Sequence, residues 1–234
     1  WIVDGVNNYF VATEDIKKEI ITNYPKKKFK ITVSGIPVDP VFYEKKSSQD
    51  LREHYDIGAQ AKVITVLGGG TGLLDNSELI NQLFALKEPL TIIAIAGKNT
   101  KIKEKILALQ TPAHVRLIPV GWTDRIDEYM RMADVVVSKP GGLTTTECLI
   151  LGKPIIAVAP IPGQEEGNAR FIVKHNLGQI ARSEDELKNI ALHYLNLTAP
   201  IRSNNGIISV SRPSKNTPAA ECILKKIIPT LIKL

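Results

Sequence analysis

Short, wholly apolar segments alternate with longer amphipathic segments along most of the chain. After residue 60 the apolar segments are "AKVITVL", "LTIIAIAG", "HVRLIPVG", "DVVVSK", "PIIAVAP" and "GQIA", and each is followed by a stretch with helical spacing of apolar residues. Short apolar strands that alternate with helices are typical of a parallel sheet covered on both faces. We therefore predict an α/β fold, with a Rossmann-like parallel sheet and helices on both of its faces.

The first 42 residues read differently from the rest. "YFVAT" and "FKITVSG" predict two strands around the helical segment "EDIKKEII". The following "GIPVDPVF", residues 35–42, carries two prolines and a glycine, which predicts a stiff extended linker. At the other end, residues 199–216 read as irregular, and the last segment predicts a helix that bends or ends at Pro229.

Composition and charge argue against a membrane-spanning segment, a disulfide framework, a histidine metal site and a nucleic-acid-binding motif. Of 234 residues 44% are hydrophobic, yet no apolar run is long enough to cross a bilayer. Two cysteines, Cys148 and Cys222, form no disulfide framework, and four scattered histidines show no metal-ligand spacing. The net charge of +6 includes the cluster "PKKKFK" and lysines near the C-terminus. These lysine clusters would contact an anionic membrane surface, or they simply form solvent-exposed faces of a loop and a helix. No nucleic-acid motif is present.

Ligands of parallel sheets bind at the carboxyl ends of the strands, so the loops that follow the strands matter most. "GGGTG", residues 68–72, lies between an apolar strand and a helix, where glycines let the backbone approach a phosphate. Its spacing is neither that of a dinucleotide fingerprint nor that of a P-loop. The alternative is a tight turn without a ligand.

The segment "KPGGLTTTE" has the same strand-to-helix arrangement. Gly141 and Gly142 open the turn, and Thr144 and Thr145 offer hydroxyl and backbone N–H groups that suit a diphosphate. Glu147 lies one helical turn further on, where its carboxylate would accept two hydrogen bonds from a ribose diol. The alternative is a capping box, in which Thr144 is the N-cap residue and Glu147 stands at N3.

Two more loops complete the predicted edge. "PIPGQEEGNARF" brings Gln164, Glu165 and Asn168 together with a glycine turn, and amide and carboxylate groups suit sugar hydroxyls; the alternative is a solvated helix N-terminus. In "VGWTD" the backbone would pair with a base edge while Trp122 or Ile118 covers the ring, although ordinary packing explains Trp122 equally well. Asp124 is more simply an N-cap residue, and Ser183 with Glu186 has capping-box spacing.

The motifs "GGGTG", "ADVVVSKPGGLTTTECLILGKPIIAVAPIPGQEEGN" and "VSGIPVDPVF" resemble glycosyltransferase family 28, closest to the monogalactosyldiacylglycerol synthases and the processive diacylglycerol glucosyltransferases. The resemblance implies the C-terminal half of a GT-B fold, no metal or other cofactor, and inversion at the anomeric carbon. It implies a role for each loop in binding the donor. The diphosphate path would be lined by Gly69, Gly70, Gly72, Gly142, Leu143 and Thr144, and the ribose would be bound by Glu147. The hexose would be held by Gln164 and Glu165 with Asn168 nearby, and uracil would be framed by Val120, Gly121 and Trp122.

The resemblance also implies domain boundaries. Residues 1–34 would be the end of an N-terminal acceptor domain, 35–42 an interdomain linker, 43–198 the donor-binding domain, and 199–234 an irregular segment with a C-terminal helix. Since the family's N-terminal half brings the general base and the lipid site, we expect a fragment whose catalytic base lies elsewhere, which binds the donor but transfers sugar poorly by itself.

The expected activity is transfer of a hexose from UDP-glucose or UDP-galactose to diacylglycerol or a glycosyldiacylglycerol, at the cytoplasmic face of a membrane. Three alternatives stay open. The chain would be a standalone UDP-sugar-binding subunit of a split enzyme, a peptidoglycan-type UDP-N-acetylglucosamine transferase, or a nucleotide-sugar epimerase.

Overall fold

The computed structural model describes residues 2–25, 29–68, 76–163, 165–197 and 218–231. The chain divides into two compact units, Trp1–Tyr43 with Asn205–Leu234, and Glu44–Asn204. The domain boundaries drawn from the family resemblance stay a prediction.

The first unit contains a two-stranded parallel sheet. Its elements are β1 (Asn8–Val11), α1 (Glu14–Asn23), β2 (Lys30–Val33), a 3₁₀ helix (Pro40–Tyr43) and the last helix, α9 (Pro218–Leu231). β1 and β2 are paired from Asn8 with Lys30 to Val11 with Val33. The Thr13 side chain caps α1 by accepting a hydrogen bond from the Ile16 N–H group.

Two predictions for this unit need correction. The extended linker over residues 35–42 ends early, because the 3₁₀ helix Pro40–Tyr43 begins inside it. The Asp39 side chain accepts a hydrogen bond from the Val41 N–H group, and proline at the first helical position lacks only an N–H group that would be unpaired there. Of the two alternatives for the final helix, an end at Pro229 is wrong, since α9 continues to Leu231, and a bend there stays a prediction.

The second unit is a six-stranded parallel sheet. Its elements are α2 (Ser48–His54), β3 (Lys62–Leu67), α3 (Asn76–Leu83), β4 (Leu90–Ile95), α4 (Thr100–Leu107), β5 (Val115–Val120), α5 (Ile126–Met132), β6 (Val135–Ser138), α6 (Gly142–Leu151), β7 (Ile155–Val158), α7 (Glu166–Lys174), β8 (Gly178–Ala181) and α8 (Glu184–Leu195). The strand order is β5-β4-β3-β6-β7-β8, and all neighbours are parallel. The predicted α/β sheet is confirmed.

Helices cover both faces of this sheet. On one face, alternate residues of the central strands, such as Ile64 and Val66, pack in a single buried cluster with residues of α3, α4 and α8. On the other face, the Thr65 hydroxyl donates a hydrogen bond to the Tyr129 carbonyl of α5. Because side chains alternate between the two faces of a strand, wholly apolar strands follow directly from this double cover.

The helix starts test the capping predictions. Ser183 caps α8 as predicted, with its hydroxyl accepting from the Glu186 N–H group, but Glu186 reaches back to the Arg182 N–H group instead of that of Ser183. Asp124 is not the N-cap residue of α5. That helix begins at Ile126, after Arg125, without a side-chain cap. The Thr123 hydroxyl accepts from the Arg125 N–H group and shapes this entry instead.

Candidate functional site

The strand order creates a switch point between β3 and β6. From β3 the chain moves outward through β4 and β5, then returns to the other side of β3 and continues through β6, β7 and β8. The loops after β3 and β6 therefore leave the carboxyl edge in opposite directions, and such a crevice is where open α/β sheets bind their ligands. These are the two glycine-containing loops that the sequence singles out as diphosphate loops.

The loop after β3 is described only at its two ends, Gly68 and Asn76. Gly69, Gly70 and Gly72 lie outside the described residues, as does Gln164. Both ends bond to the same atom: the Gly68 N–H group and the Asn76 amide donate to the Ile95 carbonyl at 3.0 and 2.9 Å. A Cβ atom on Gly68 would lie only 2.6 Å from Asn76 Oδ1, so glycine is required for this close approach.

The start of α6 is open. Gly141 is the N-cap residue, has extended backbone angles and supplies no side-chain cap. Within the described residues nothing caps the N–H groups of Gly142, Leu143 and Thr144, which are the first three of the helix. Unpaired N–H groups and the positive end of the helix dipole together favour an anion. Leu143 is 55% exposed, which shows that solvent reaches this turn.

The three threonines of this turn differ in their surroundings. Thr144 is partly exposed, and no hydrogen bond is found for its side chain among the described residues. The Thr145 hydroxyl is buried, and that of Thr146 donates to the Gly142 carbonyl at 2.8 Å. Of the two hydroxyls predicted to face a diphosphate, only that of Thr144 is therefore accessible.

The capping-box interpretation of Glu147 is wrong. Because α6 begins at Gly142, Thr144 stands at the third helical position and Glu147 at the sixth, too far from the start to cap it. Glu147 is half-buried and lies on the same helix face as Leu143 and Thr144, one turn away. Its negative charge adds to burial in raising the pKa of the Cys148 thiol far above the ordinary value, which keeps this sulfur protonated and inert.

The loop after β7 is closed by one of its predicted ligands. The Glu165 carboxylate accepts a hydrogen bond from the Ile161 N–H group through Oε2 at 2.9 Å, and the Glu165 N–H group donates back to the Ile161 carbonyl. The sequence indicates a sugar ligand or a solvated acid here, whereas the structure shows a carboxylate that fixes its own loop with one oxygen. Asn168 is partly exposed, and its side chain has no hydrogen bond among the described residues.

The same loop starts with a strained residue. Ala159 has a φ of 42°, in the left-handed region that a residue with a side chain seldom adopts. It directly precedes Pro160, whose ring further restricts its backbone. Such strain is often stored next to a functional loop.

The segment after β5 presents an exposed indole. Trp122 is 64% exposed, which contradicts the interpretation of this residue as ordinary packing. The Lys98 ammonium lies 5.9 Å from the centre of its ring, at cation–π distance. The Val120 carbonyl accepts a hydrogen bond from the Ala96 N–H group at 2.8 Å, so it belongs to the sheet ladder. The Gly121 peptide, in contrast, has no backbone hydrogen-bond partner among the described residues.

No group of three or more histidine, cysteine, aspartate or glutamate side chains in the described ranges is arranged to hold a metal ion. All four histidines are described, and none lies in the loops at the carboxyl edge. His54 ends α2, His114 precedes β5, His175 follows α7 and His193 is in the last turn of α8. The site as described thus offers donors and carboxylates but no imidazole.

Sequence reasoning missed Asn76 as a partner of the glycine loop, the strained Ala159, and the lysines of the β4–α4 region, Lys98 and Lys103. A buried asparagine at a helix start is easily taken for a cap. The two lysines reach the segment after β5, residues 121–122, only because α4 and β5 are neighbours in the fold. Their sequence signal, isolated lysines in "GKNTKIKEK", is no different from that of a solvated helix.

Comparison with known proteins places this geometry in context. The sequence model of the glycosyltransferase family 28 C-terminal domain matches residues 63–205. The processive diacylglycerol beta-glucosyltransferase of Bacillus subtilis (strain 168) is 30% identical over 189 residues, which are 80% of this chain and 49% of that protein. The chain therefore spans about half the length of the curated relatives it matches.

Solved structures share the fold. UDP-GlcNAc 2-epimerase from Neisseria meningitidis, bound to UDP-GlcNAc, superposes with a TM-score of 0.66 at 16% identity, over 94% of this chain and 61% of that one. Anabaena HepE, in complex with UDP and glucose, gives a TM-score of 0.59 at 18% identity, over 96% and 62%. MurG of Acinetobacter baumannii gives 0.55 at 20% identity, over 70% and 48%. The expected half of a GT-B fold is confirmed.

Proposed function

The chain belongs to glycosyltransferase family 28, and we propose that it forms the donor-binding half of an inverting UDP-hexose glycosyltransferase. One observation carries this proposal. The uncapped start of α6, at the switch point of the sheet, offers three N–H groups with Glu147 one turn away on the same helix face. A diphosphate followed by a ribose matches this combination of an anion site and a carboxylate.

The remaining parts of a UDP-sugar fit the same edge in order. The uracil would lie by Gly121 and Trp122 after β5, and the ribose by Glu147. The hexose would lie at the loop after β7. There the second carboxylate oxygen of Glu165 can accept a hydrogen bond from a sugar hydroxyl, and the amide of Asn168 can both donate and accept. Gly69, Gly70, Gly72 and Gln164 retain their proposed roles in the diphosphate and hexose subsites.

The proposed reaction is a single displacement. A hydroxyl oxygen of the acceptor forms a bond to the anomeric carbon of the hexose, while the bond from that carbon to the β-phosphate oxygen breaks and the configuration inverts. UDP leaves with the electron pair and its added negative charge. The N–H groups of Gly142, Leu143 and Thr144 stabilise this charge in place of a metal ion. The acceptor's proton requires a base outside the described site.

The relatives support a proposal for the acceptor and for the place of action. Since the matched Bacillus protein is a diacylglycerol glucosyltransferase, we propose UDP-glucose as donor, with UDP-galactose as the other hexose to test, and diacylglycerol or a glycosyldiacylglycerol as acceptor. A lipid acceptor implies work at a membrane surface, on its cytoplasmic side where UDP-sugars are found. Among the described residues, no helix has the length and apolar character that a bilayer crossing needs.

Calorimetric titration of the 234-residue chain with UDP, ADP and GDP tests the donor site. We expect selective micromolar binding of UDP. Glu147→Ala should weaken it by about tenfold or more, because two charge-assisted hydrogen bonds to the ribose are lost. Glu184→Ala, an exposed carboxylate at the first turn of α8, is the matched control and should bind UDP as the wild type does.

Equal binding of all three nucleotides would contradict the uridine subsite, and unchanged binding by Glu147→Ala would contradict the ribose role. The epimerase alternative shares the fold only, and the family match favours the transferase. Conversion of UDP-N-acetylglucosamine to its 2-epimer by the chain would reverse that preference.

A further inference from the structure

The backbone after β5 leaves one donor and one acceptor side by side. The ladder between β4 and β5 pairs Ile95 with Val120, and the Val120 carbonyl accepts from Ala96 in the last bond at this end. For the next residue, Gly121, neither the N–H group nor the carbonyl has a hydrogen-bond partner among the described residues. Exposed peptide groups at this edge are what a base with Watson–Crick edge atoms would pair with.

Lys103 places an ammonium group next to this peptide. Its Cδ and Nζ atoms lie 3.6 and 3.7 Å from the position that a Cβ atom on Gly121 would occupy. The side chain is half-buried and comes from α4, which is anchored by the buried Ile102 and Ile106. Within the described part of the chain, Lys103 forms no ion pair. Its three N–H donors are therefore available beside the Gly121 peptide.

The indole of Trp122 forms the neighbouring wall. It is 64% exposed, and Lys98 at 5.9 Å holds a cation against its ring. An aromatic surface of this kind stacks any base, because every base has a π-face. Stacking on Trp122 thus gives affinity without choosing the base, and the choice must come from groups that meet the base edge.

We propose that Lys103 recognises the O4 position of the base and thereby favours uracil over cytosine at this site, an assignment that rests on the proposed function. The edge of uracil presents an acceptor, a donor and an acceptor: O2, N3–H and O4. In this arrangement the Gly121 carbonyl accepts from N3–H, the Gly121 N–H group donates to O2, and the Lys103 ammonium donates to O4, where cytosine carries an amino group. An ammonium can only donate, so it leaves the amino group of cytosine unpaired and opposed to a positive charge.

The experiment compares UDP with CDP, which share the ribose and diphosphate and differ at the edge of the base. Kd values are measured by calorimetry on the wild type, on Lys103→Met and on Lys101→Met, an exposed lysine of the same helix as the matched control. We expect the wild type to prefer UDP. Lys103→Met should weaken UDP about tenfold and CDP little, so that the ratio of the two Kd values falls about tenfold. Lys101→Met should keep the wild-type ratio.

The outcomes separate this assignment from the proposed function. If the wild type prefers UDP and Lys103→Met keeps that preference, Lys103 does not select the base, although the donor site stands. Equal weakening of UDP and CDP would also overturn the assignment, since Lys103 would then act on the phosphates or on folding, which the melting temperature distinguishes. A wild type that binds neither nucleotide overturns the proposed function, and the assignment with it.

Discussion

Arg52 holds together the amino edge of the large sheet, opposite the proposed donor site. Its guanidinium donates to the Met132 carbonyl through Nε and Nη2 at 3.0 and 2.6 Å. It donates to the Ala59 and Ala61 carbonyls through Nη1 at 3.2 and 3.0 Å, and to the Asp134 carboxylate at 2.9 Å. The residue is only 8% exposed. We predict that Arg52→Met, which keeps most of the side-chain volume, removes all five bonds.

The magnitude follows from the groups left behind. Three carbonyl oxygens lose their donor, at about 1 kcal/mol each. The ion pair adds less than about 1 kcal/mol, because the Asp134 side chain is 35% exposed and solvent screens it. The sum is a loss of about 3–4 kcal/mol in the free energy of unfolding, which lowers Tm by about 10 °C in a unit of this size.

Urea unfolding followed by circular dichroism measures this loss, with Arg182→Met, an exposed arginine after β8, as the control. Below the melting range, the Kd for UDP should stay at its wild-type value, because Arg52 lies at the edge opposite the site. A loss under about 1 kcal/mol would contradict this prediction, since water would then replace the guanidinium without cost.

Three further predictions follow. Gly178→Ala should lower the free energy of unfolding by about 3 kcal/mol in urea titration, because a Cβ atom would overlap the Ile155 carbonyl of the neighbouring strand. Burial lowers the pKa of Lys153 from 10.5 to about 8, so the folded state loses its proton first, and stability should rise by up to about 3 kcal/mol as pH increases from 8 to 10.5. Glu165→Ala should weaken UDP-glucose binding several-fold more than Glu165→Gln, because the glutamine oxygen still accepts from Ile161.

Each of these has its own control. For Gly178, Gly58→Ala has open space around the new Cβ and should change stability little; equal effects of the two would be inconsistent with the overlap. For Lys153, the increase in the free energy of unfolding between pH 8 and 10.5 must disappear in Lys153→Met and persist in Lys101→Met. For Glu165, equal losses of UDP-glucose binding in both variants would show that the negative charge, and not the closed loop, is what the sugar requires.

The sequence predicted the sheet and its functional edge well, because both depend on local pattern. The apolar runs that become β3, β4, β6 and β7 are unmistakable when both sheet faces are covered, and the glycines that follow β3 and β6 mark the two switch-point loops. The edge on which the site lies then follows from the parallel order of the strands alone.

The details that failed depend on where a helix begins or on contacts distant in sequence. Thr144 with Glu147 imitates a capping box, yet Gly141 caps α6 without a side chain, so the pattern carries no information on the true start. The bond from the Ile161 N–H group to the Glu165 carboxylate could not be anticipated from the pattern either, while the role of Glu165 toward the hexose stays a prediction. Lys103 reaches Gly121 only through the packing of α4 beside β5, which no local pattern reveals.

The most direct test of the donor site is a heteronuclear NMR titration of the ¹⁵N-labelled chain with UDP, read at assigned backbone amides. We predict the largest shifts at Gly142, Leu143 and Thr144, whose N–H groups would bond to phosphate oxygens, and at Gly121, with none at Gly178 on the opposite edge. Shifts confined to the amino edge, or saturation by UDP without any change at the start of α6, would contradict it.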